Sequence, residues 1–347
     1  EVHQAIDAKY LRLPTRELFG WLYLENLELK IPSSQKLAAQ EGSARAKHYQ
    51  RIRSDVVSAQ LQMLQEHMNT YVAGCGVALA ALGVDELELR CCDGYVGLAA
   101  RVRESALVAD LSARLYLSSD KDRIRISCGH PRVYGHLDTP APIVAHRLMQ
   151  ALFRVDDERH ATEIGLADLS LRPLSAALFH CLPAAGWRLP RQTSLEISSV
   201  SVTPSGITLR FRDLDDRSRD GEETGNTSQA AARLAEALDQ FRSSDIMLQR
   251  GDLEGAMRGY RGELAARGPE QPFLVERILS IASASREYFI DGLELARQVL
   301  GRWPDFAPAH AAIASIAVAQ GDVESGASRY RELSQASAAS GDEEGTV

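Results

Sequence analysis

The chain has 347 residues, 45% of them hydrophobic and 25% charged, a balance that excludes a collagenous, wholly disordered or membrane-embedded protein and allows two domains with separate cores. A formal net charge of −8 offers polyanions no general attraction, so nucleic acid is not expected as a partner. The longest weakly polar stretch, residues 71–84, is too short to cross a bilayer, and no transmembrane segment is predicted.

In chain order, residues 1–19 read as helix and residues 25–31 as a strand. Residues 47–74 place Val57, Leu61, Leu64, Met68 and Tyr71, with Cys75 beyond them, at steps of three and four. That spacing predicts one long amphipathic helix, ended by Gly74, Gly76 and Gly83. Alternation then takes over. Leu87, Leu89 and Cys91 share one strand face, Asp93-Gly94 supplies a two-residue hairpin turn, and Val96, Leu98, Ala100 and Val102 line the return strand. A second hairpin carries Leu111, Ala113, Leu115 and Leu117, turns over residues 118–122, and returns through Ile124, Ile126 and Cys128. Strands joined by such short turns form an antiparallel meander whose apolar face must be covered. Residues 140–153 and 174–182 predict helices around a short strand at 166–171. Strands at 194–202 and 207–211 flank the turn Thr203-Pro204-Ser205-Gly206, and a slip in alternation between Ile197 and Val200 predicts a β-bulge.

Residues 212–226 lose almost all apolar side chains and read as an acidic linker between a front domain, residues 1–211, and a helical domain, residues 227–347. In the helical domain, Gly251-Asp252-Leu253-Glu254 with Tyr260-Arg261 recurs 70 residues later as Gly321-Asp322-Val323-Glu324 with Tyr330-Arg331, twice a period of 35. Pro269 and Pro304 repeat at that same period and mark the loops between units. Gly251 and Gly321 suit left-handed turn positions, while Asp252 and Asp322 suit the caps of the helices that follow. This pattern resembles the tetratricopeptide repeat family. The small residue of the second helix is Ala256 in one unit and Gly326 in another, and the middle unit departs, with Tyr288-Phe289-Ile290 before Ala296. The resemblance implies three stacked helical hairpins that dock a protein partner; an array that only packs against the front domain, or is a piece of a longer one, is the alternative.

Catalytic signatures are absent: the sequence holds no P-loop, nucleophile-elbow, HExxH or strand-linked dinucleotide motif, so no catalytic residues and no cofactor are expected. No metal ligands are assigned either. Cys128-Gly129-His130, His136 and His180-Cys181 lack the paired spacing of zinc sites, and adjacent Cys91 and Cys92 point to opposite strand faces. Asp156-Asp157-Glu158-Arg159-His160 reads as a solvated loop. The five cysteines are an odd set, read as buried thiols, with one disulfide in an exported protein as the alternative. The compartment stays open between the cytoplasm and a periplasmic or exported location with a signal removed.

The front domain, a long helix with an antiparallel meander and a closing hairpin, resembles the tubular lipid-binding superfamily, which includes bactericidal/permeability-increasing-like modules and bacterial relatives. The local likeness is Trp187-Arg188-Leu189-Pro190, the strand from Leu195 and the turn before Ile207. The resemblance implies an α+β fold in which a long amphipathic helix lies against a curved antiparallel sheet around an apolar cavity. Leu61, Leu64, Met68, Leu87, Leu89, Leu98, Ala100, Ala113, Leu115, Ile124 and Ile126 are the candidate lining residues; as inward-facing apolar side chains they would equally serve a filled core. The expected function is a non-enzymatic carrier of a lipid or other hydrophobic ligand, coupled to a protein-binding helical scaffold. The alternative is an assembly protein with no ligand.

Overall fold

Period-two alternation of apolar and polar side chains builds twelve strands among the described residues of the computed structural model, which are residues 8–32, 54–153, 161–184, 186–192, 195–213, 229–268 and 271–340. Strands β1 (Ala8–Arg12), β2 (Arg16–Leu18), β3 (Leu22–Pro32), β4 (Asp55–Leu64), β11 (Leu195–Thr203) and β12 (Gly206–Asp213) form one antiparallel sheet, ordered β1-β3-β4-β12-β11 with β2 paired to β3. Strands β5 (Val84–Cys92), β6 (Tyr95–Glu104), β7 (Leu107–Asp120), β8 (Arg123–Tyr134), β9 (Ala161–Gly165) and β10 (Asp168–Leu171) form a second, ordered β5-β6-β7-β8-β10-β9. Strand β11 lies against β5 through β8, so the apolar faces of the two sheets close on one another and share one core.

The fold is α+β, with antiparallel sheets followed by an all-helical array, but the long helix of residues 47–74 is not formed. Residues 55–64 are strand β4, at the centre of its sheet between β3 and β12, and helix begins only at α1 (Gln65–Gly74), followed by α2 (Gly76–Ala81). Residues 47–53 lie outside the described residues. The reason is that Val57 and Leu61 satisfy both periods: Val57, Ala59, Leu61 and Met63 also alternate with Ser58, Gln60 and Gln62. Cross-strand partners decide the outcome, since Leu61 pairs with Leu24 of β3 and with Leu209 of β12. The helix expected over residues 1–19 is likewise replaced, within its described part, by β1 and β2. The strand expected at 25–31 lies within β3.

The meander forms in the expected order. Asp93-Gly94 closes the first hairpin with Gly94 at φ 88°, and the second closes more tightly than expected. Pairing continues to Asp120 opposite Arg123, leaving Lys121-Asp122 as a two-residue turn with Lys121 at φ 54°. The register of β11 on β12 shifts between Ile197 and Ser199, where the alternation slips. Helix α3 (Ala141–Phe153) is buried on nearly every side, His146 included, because sheet lies on one side and array on the other. Helix α4 (Pro173–Ala184) starts with proline at its first position. All five cysteines are free thiols.

The array consists of α5 (Gln229–Gln240), α6 (Arg242–Gln249), α7 (Leu253–Arg267), α8 (Pro272–Ala284), α9 (Phe289–Arg302), α10 (Ala307–Ala319) and α11 (Val323–Ser340). Gly251 and Gly321 take φ of 81° and 89° in the tight turns between α6 and α7 and between α10 and α11. Asp252 and Asp322 accept hydrogen bonds from the amides of Gly255 (2.8 Å) and Ser325 (3.1 Å), capping the helices that follow. The middle hairpin turns instead through a single 3₁₀ turn, Arg286–Tyr288. Of the expected linker, Arg212 and Asp213 belong to β12, and residues 214–226 lie outside the described residues.

The array is seated on the front of the chain. Ala231, Leu234 and Leu238 of α5 belong to the core of the sheets, while Ile143 of α3 and Leu166 belong to the core of α6, α7 and α8. Strand β8 is the docking ridge. Two of its residues, His130 and Pro131, oppose the single Ala113 of β7, a bulge in which His130 takes φ 53°. His130 Nδ1 lies 3.1 Å from Glu276 of α8 and its ring stacks on Phe273. A side chain at Gly129 would meet Leu234 at 2.9 Å and Tyr116 at 3.1 Å, so glycine is what lets α5 lie this close to the sheet. Further along the ridge, the Tyr330 hydroxyl of α11 accepts from the amide of Gly135 at 3.0 Å.

Candidate apolar-ligand cavity

Between the two sheets lies a cavity of about 360 Å³, partly open to the surface. Leu22 of β3, Leu61 and Met63 of β4, and Ile207 and Leu209 of β12 make one wall. Leu89, Val96, Leu115, Leu117, Ile124 and Ile126, drawn from β5 through β8, make the facing wall. Met68 and Tyr71 of α1 close one end, and the Tyr71 hydroxyl is spent on the carbonyl of Leu152. Phe19, Trp21, Phe153, Leu171, Arg172 and the first turns of α4 (Pro173, Ala176, Ala177) complete the lining. A space of this size and character falls within the range of about 300–1,000 Å³ typical of small-molecule sites.

Six of the sequence-derived candidates line this cavity: Leu61, Met68, Leu89, Leu115, Ile124 and Ile126. The others do not. Leu64 is the residue that caps α1, and Ala113 is packed within the core opposite the β8 bulge. Leu87, Leu98 and Ala100 border a separate depression of about 440 Å³ over Gly97 and Ala99, whose rim carries Glu86, Glu88, Arg90, Arg101 and Asp110.

The aromatic edge of the cavity was not among those candidates. Phe19 and Gly20 form the β2–β3 turn with φ of 61° and 76°, a left-handed conformation that is costly for a bulky side chain. The turn holds Phe19 half exposed, 5.5 Å from Trp21 and 4.0 Å from His180, and Trp21 in turn lies 4.7 Å from Tyr71. Two aromatic residues flanking a glycine in Phe19-Gly20-Trp21 were the available signal. Arg172 was also missed, and it is the one charged residue of the lining among the described residues. Its Nε lies 3.3 Å from Asp122 Oδ2 without the alignment of a hydrogen bond and has no hydrogen-bond partner.

Other reactive groups, His180 at the aromatic edge excepted, sit apart from this space. Burial, reinforced by neighbouring Cys92, pushes the Cys91 thiol up to about 11, so it is not a thiolate near neutral pH. Cys128 is buried on β8, and Cys181 on α4 is also raised by burial. His136 Nε2 lies 3.4 Å from Asp138, His130 faces Glu276, His180 meets Phe19, and His160 lies outside the described residues. Among the described residues, no group of three or more His, Cys, Asp or Glu side chains could hold a metal ion. A buried polar cluster lies inside the array, where Arg277 Nε lies 3.3 Å from Asp245 Oδ1 and the Tyr260 hydroxyl donates to the same carboxylate.

Fold and cavity together define a class: an α+β protein whose two antiparallel sheets enclose an apolar space and carry a docked helical array. No family profile, curated protein or solved structure matches the chain. Among the described residues, no helix is long and apolar enough to cross a membrane.

Proposed function

We propose that this protein is a non-enzymatic carrier of a lipid or other apolar ligand, held between the two sheets. The observation that carries this reading is the 360 Å³ space, lined among the described residues by apolar and aromatic side chains apart from Arg172. A filled core leaves no voids of this size, because close packing is what stabilises it. The likeness to tubular lipid-binding proteins points the same way, although two facing sheets take the place of a sheet around a long helix in the described residues. Native mass spectrometry of the purified chain, followed by organic extraction, tests the proposal: a co-purifying aliphatic species is expected. A protein that stays at its bare mass and takes up no apolar probe such as N-phenylnaphthylamine overturns it.

The array, in this reading, is a tetratricopeptide-like scaffold for a protein partner. Its Gly-Asp turns and 35-residue period support that, and the array exposes Met247, Ile290 and Val323. A second reading, in which the array is a buttress for the sheets, is favoured by the cores that run across from α5 to β7 and β8. Pull-down with the full chain separates the two: a partner lost on Ile290→Glu substitution supports the scaffold, and no captured partner together with destabilisation by Leu234→Ala supports the buttress.

A further inference from the structure

We propose that the cavity selects a single-chain aliphatic carboxylate, with the carboxylate at Arg172 and the hydrocarbon tail between the sheets; this rests on reading the cavity as an apolar-ligand site. Among the described residues the lining has one charged side chain, and it is a cation. No hydrogen bond among the described residues reaches its guanidinium. Asp122 forms an ion pair with it at 3.3 Å and the side chain is 42% exposed, yet the Nε atom itself is buried and has no hydrogen-bond partner. A ligand acceptor supplied here would satisfy that buried Nε, and the exposed part of the fork leaves room for a second oxygen beside Asp122. The planar fork of arginine matches a carboxylate in two parallel hydrogen bonds, which no uncharged apolar ligand can offer.

Size narrows the class further. A space of about 360 Å³ is near the lower end of small-molecule sites, which suits one hydrocarbon chain and not the two of a membrane phospholipid. The tail has no polar group to meet along Leu61, Leu89, Leu115, Ile124 and Ile126. Affinity should therefore rise about fourfold per added methylene until the chain outgrows the space.

The test is displacement of N-phenylnaphthylamine from the delipidated full chain by dodecanoate and by dodecanol at neutral pH. Dodecanoate is expected to displace at a concentration at least about tenfold lower than dodecanol, a gap that narrows with salt. Arg172→Gln is expected to close the gap, and Asp122→Asn, which frees the guanidinium, to widen it; the Asn variant keeps the proposal testable if the Gln variant does not fold. Equal displacement by acid and alcohol in the unsubstituted protein overturns the carboxylate preference and leaves the apolar-ligand reading standing. Failure of the probe to bind at all overturns both.

Discussion

Phe19 shows how much a single residue is held against its own preference. A left-handed backbone costs a bulky L-residue about 1–2 kcal/mol, and Asn or Gly would occupy this turn with less strain. The aromatic ring beside Trp21 and His180 is what that strain retains at the cavity edge. Phe19→Asn is therefore expected to leave the melting temperature equal or higher while a bound apolar probe dissociates several-fold faster, as stopped-flow fluorescence would read. Gly129 is the opposite case, a position where any side chain is excluded by Leu234 and Tyr116. Gly129→Val should cost about 1–3 kcal/mol in urea unfolding, the usual penalty of overpacking.

At the scale of elements, helix α8 carries two buried charges with different partners. Arg277 is held protonated: burial opposes its charge, but Asp245 and then Tyr260 and Glu276 outweigh that cost. Asp245→Ala leaves this guanidinium buried without its carboxylate and should destabilise by about 3–5 kcal/mol; replacing both, with Arg277→Met, should recover much of the loss in a double-mutant cycle. Glu276 is also fully buried. Burial pushes its carboxyl up, yet the His130 charge and hydrogen bond, then Arg277 and Arg132, hold it below the ordinary glutamate value of 4.5. A carboxyl depressed in the fold adds stability above that ordinary value and loses it as pH falls through the lower folded value. Acid unfolding monitored by circular dichroism should consequently have a shallower limb in Glu276→Gln.

Elements also set how far the sequence could be read. Hairpins came through because Asp93-Gly94 and unbroken alternation leave one solution. Residues 55–64 did not, because Val57 and Leu61 sit on a helical stripe and on a strand face at once, and only pairing with Leu24 and Leu209 breaks the tie. For the cavity, alternation identified inward-facing Leu89, Leu115, Ile124 and Ile126. Whether those side chains meet a facing layer or leave a space depends on the separation of two sheets, which no local pattern encodes. Phe19, Trp21 and Arg172 come from a turn and a helix start, beyond the reach of strand periodicity. Pro131 was a neglected signal, since proline within a central strand implies a bulge.

Over the whole molecule, the expected division at residues 212–226 separates changes of period and not separate cores. Helix α5, on the far side of that division, completes the sheet core with Ala231, Leu234 and Leu238. The full chain is expected to unfold in one calorimetric transition. Ending the chain at Asp213 should give a product that aggregates, and ending it after the array's first helix should improve solubility in expression trials. Two well-resolved transitions in the full chain would count against shared cores.

The bulge on β8 also makes a statement about the length of the chain. In a regular strand, the residue opposite Ala113 would point into the apolar interior, where Ala113 itself is 1% exposed. The extra residue is what frees His130 to turn outward to Glu276. A single-codon deletion at Pro131 would repair the strand's pairing and at the same stroke drive an imidazole inward, parting the helices from the sheet. Shortening the gene here by three nucleotides should thus be worse tolerated than most substitutions at the same site.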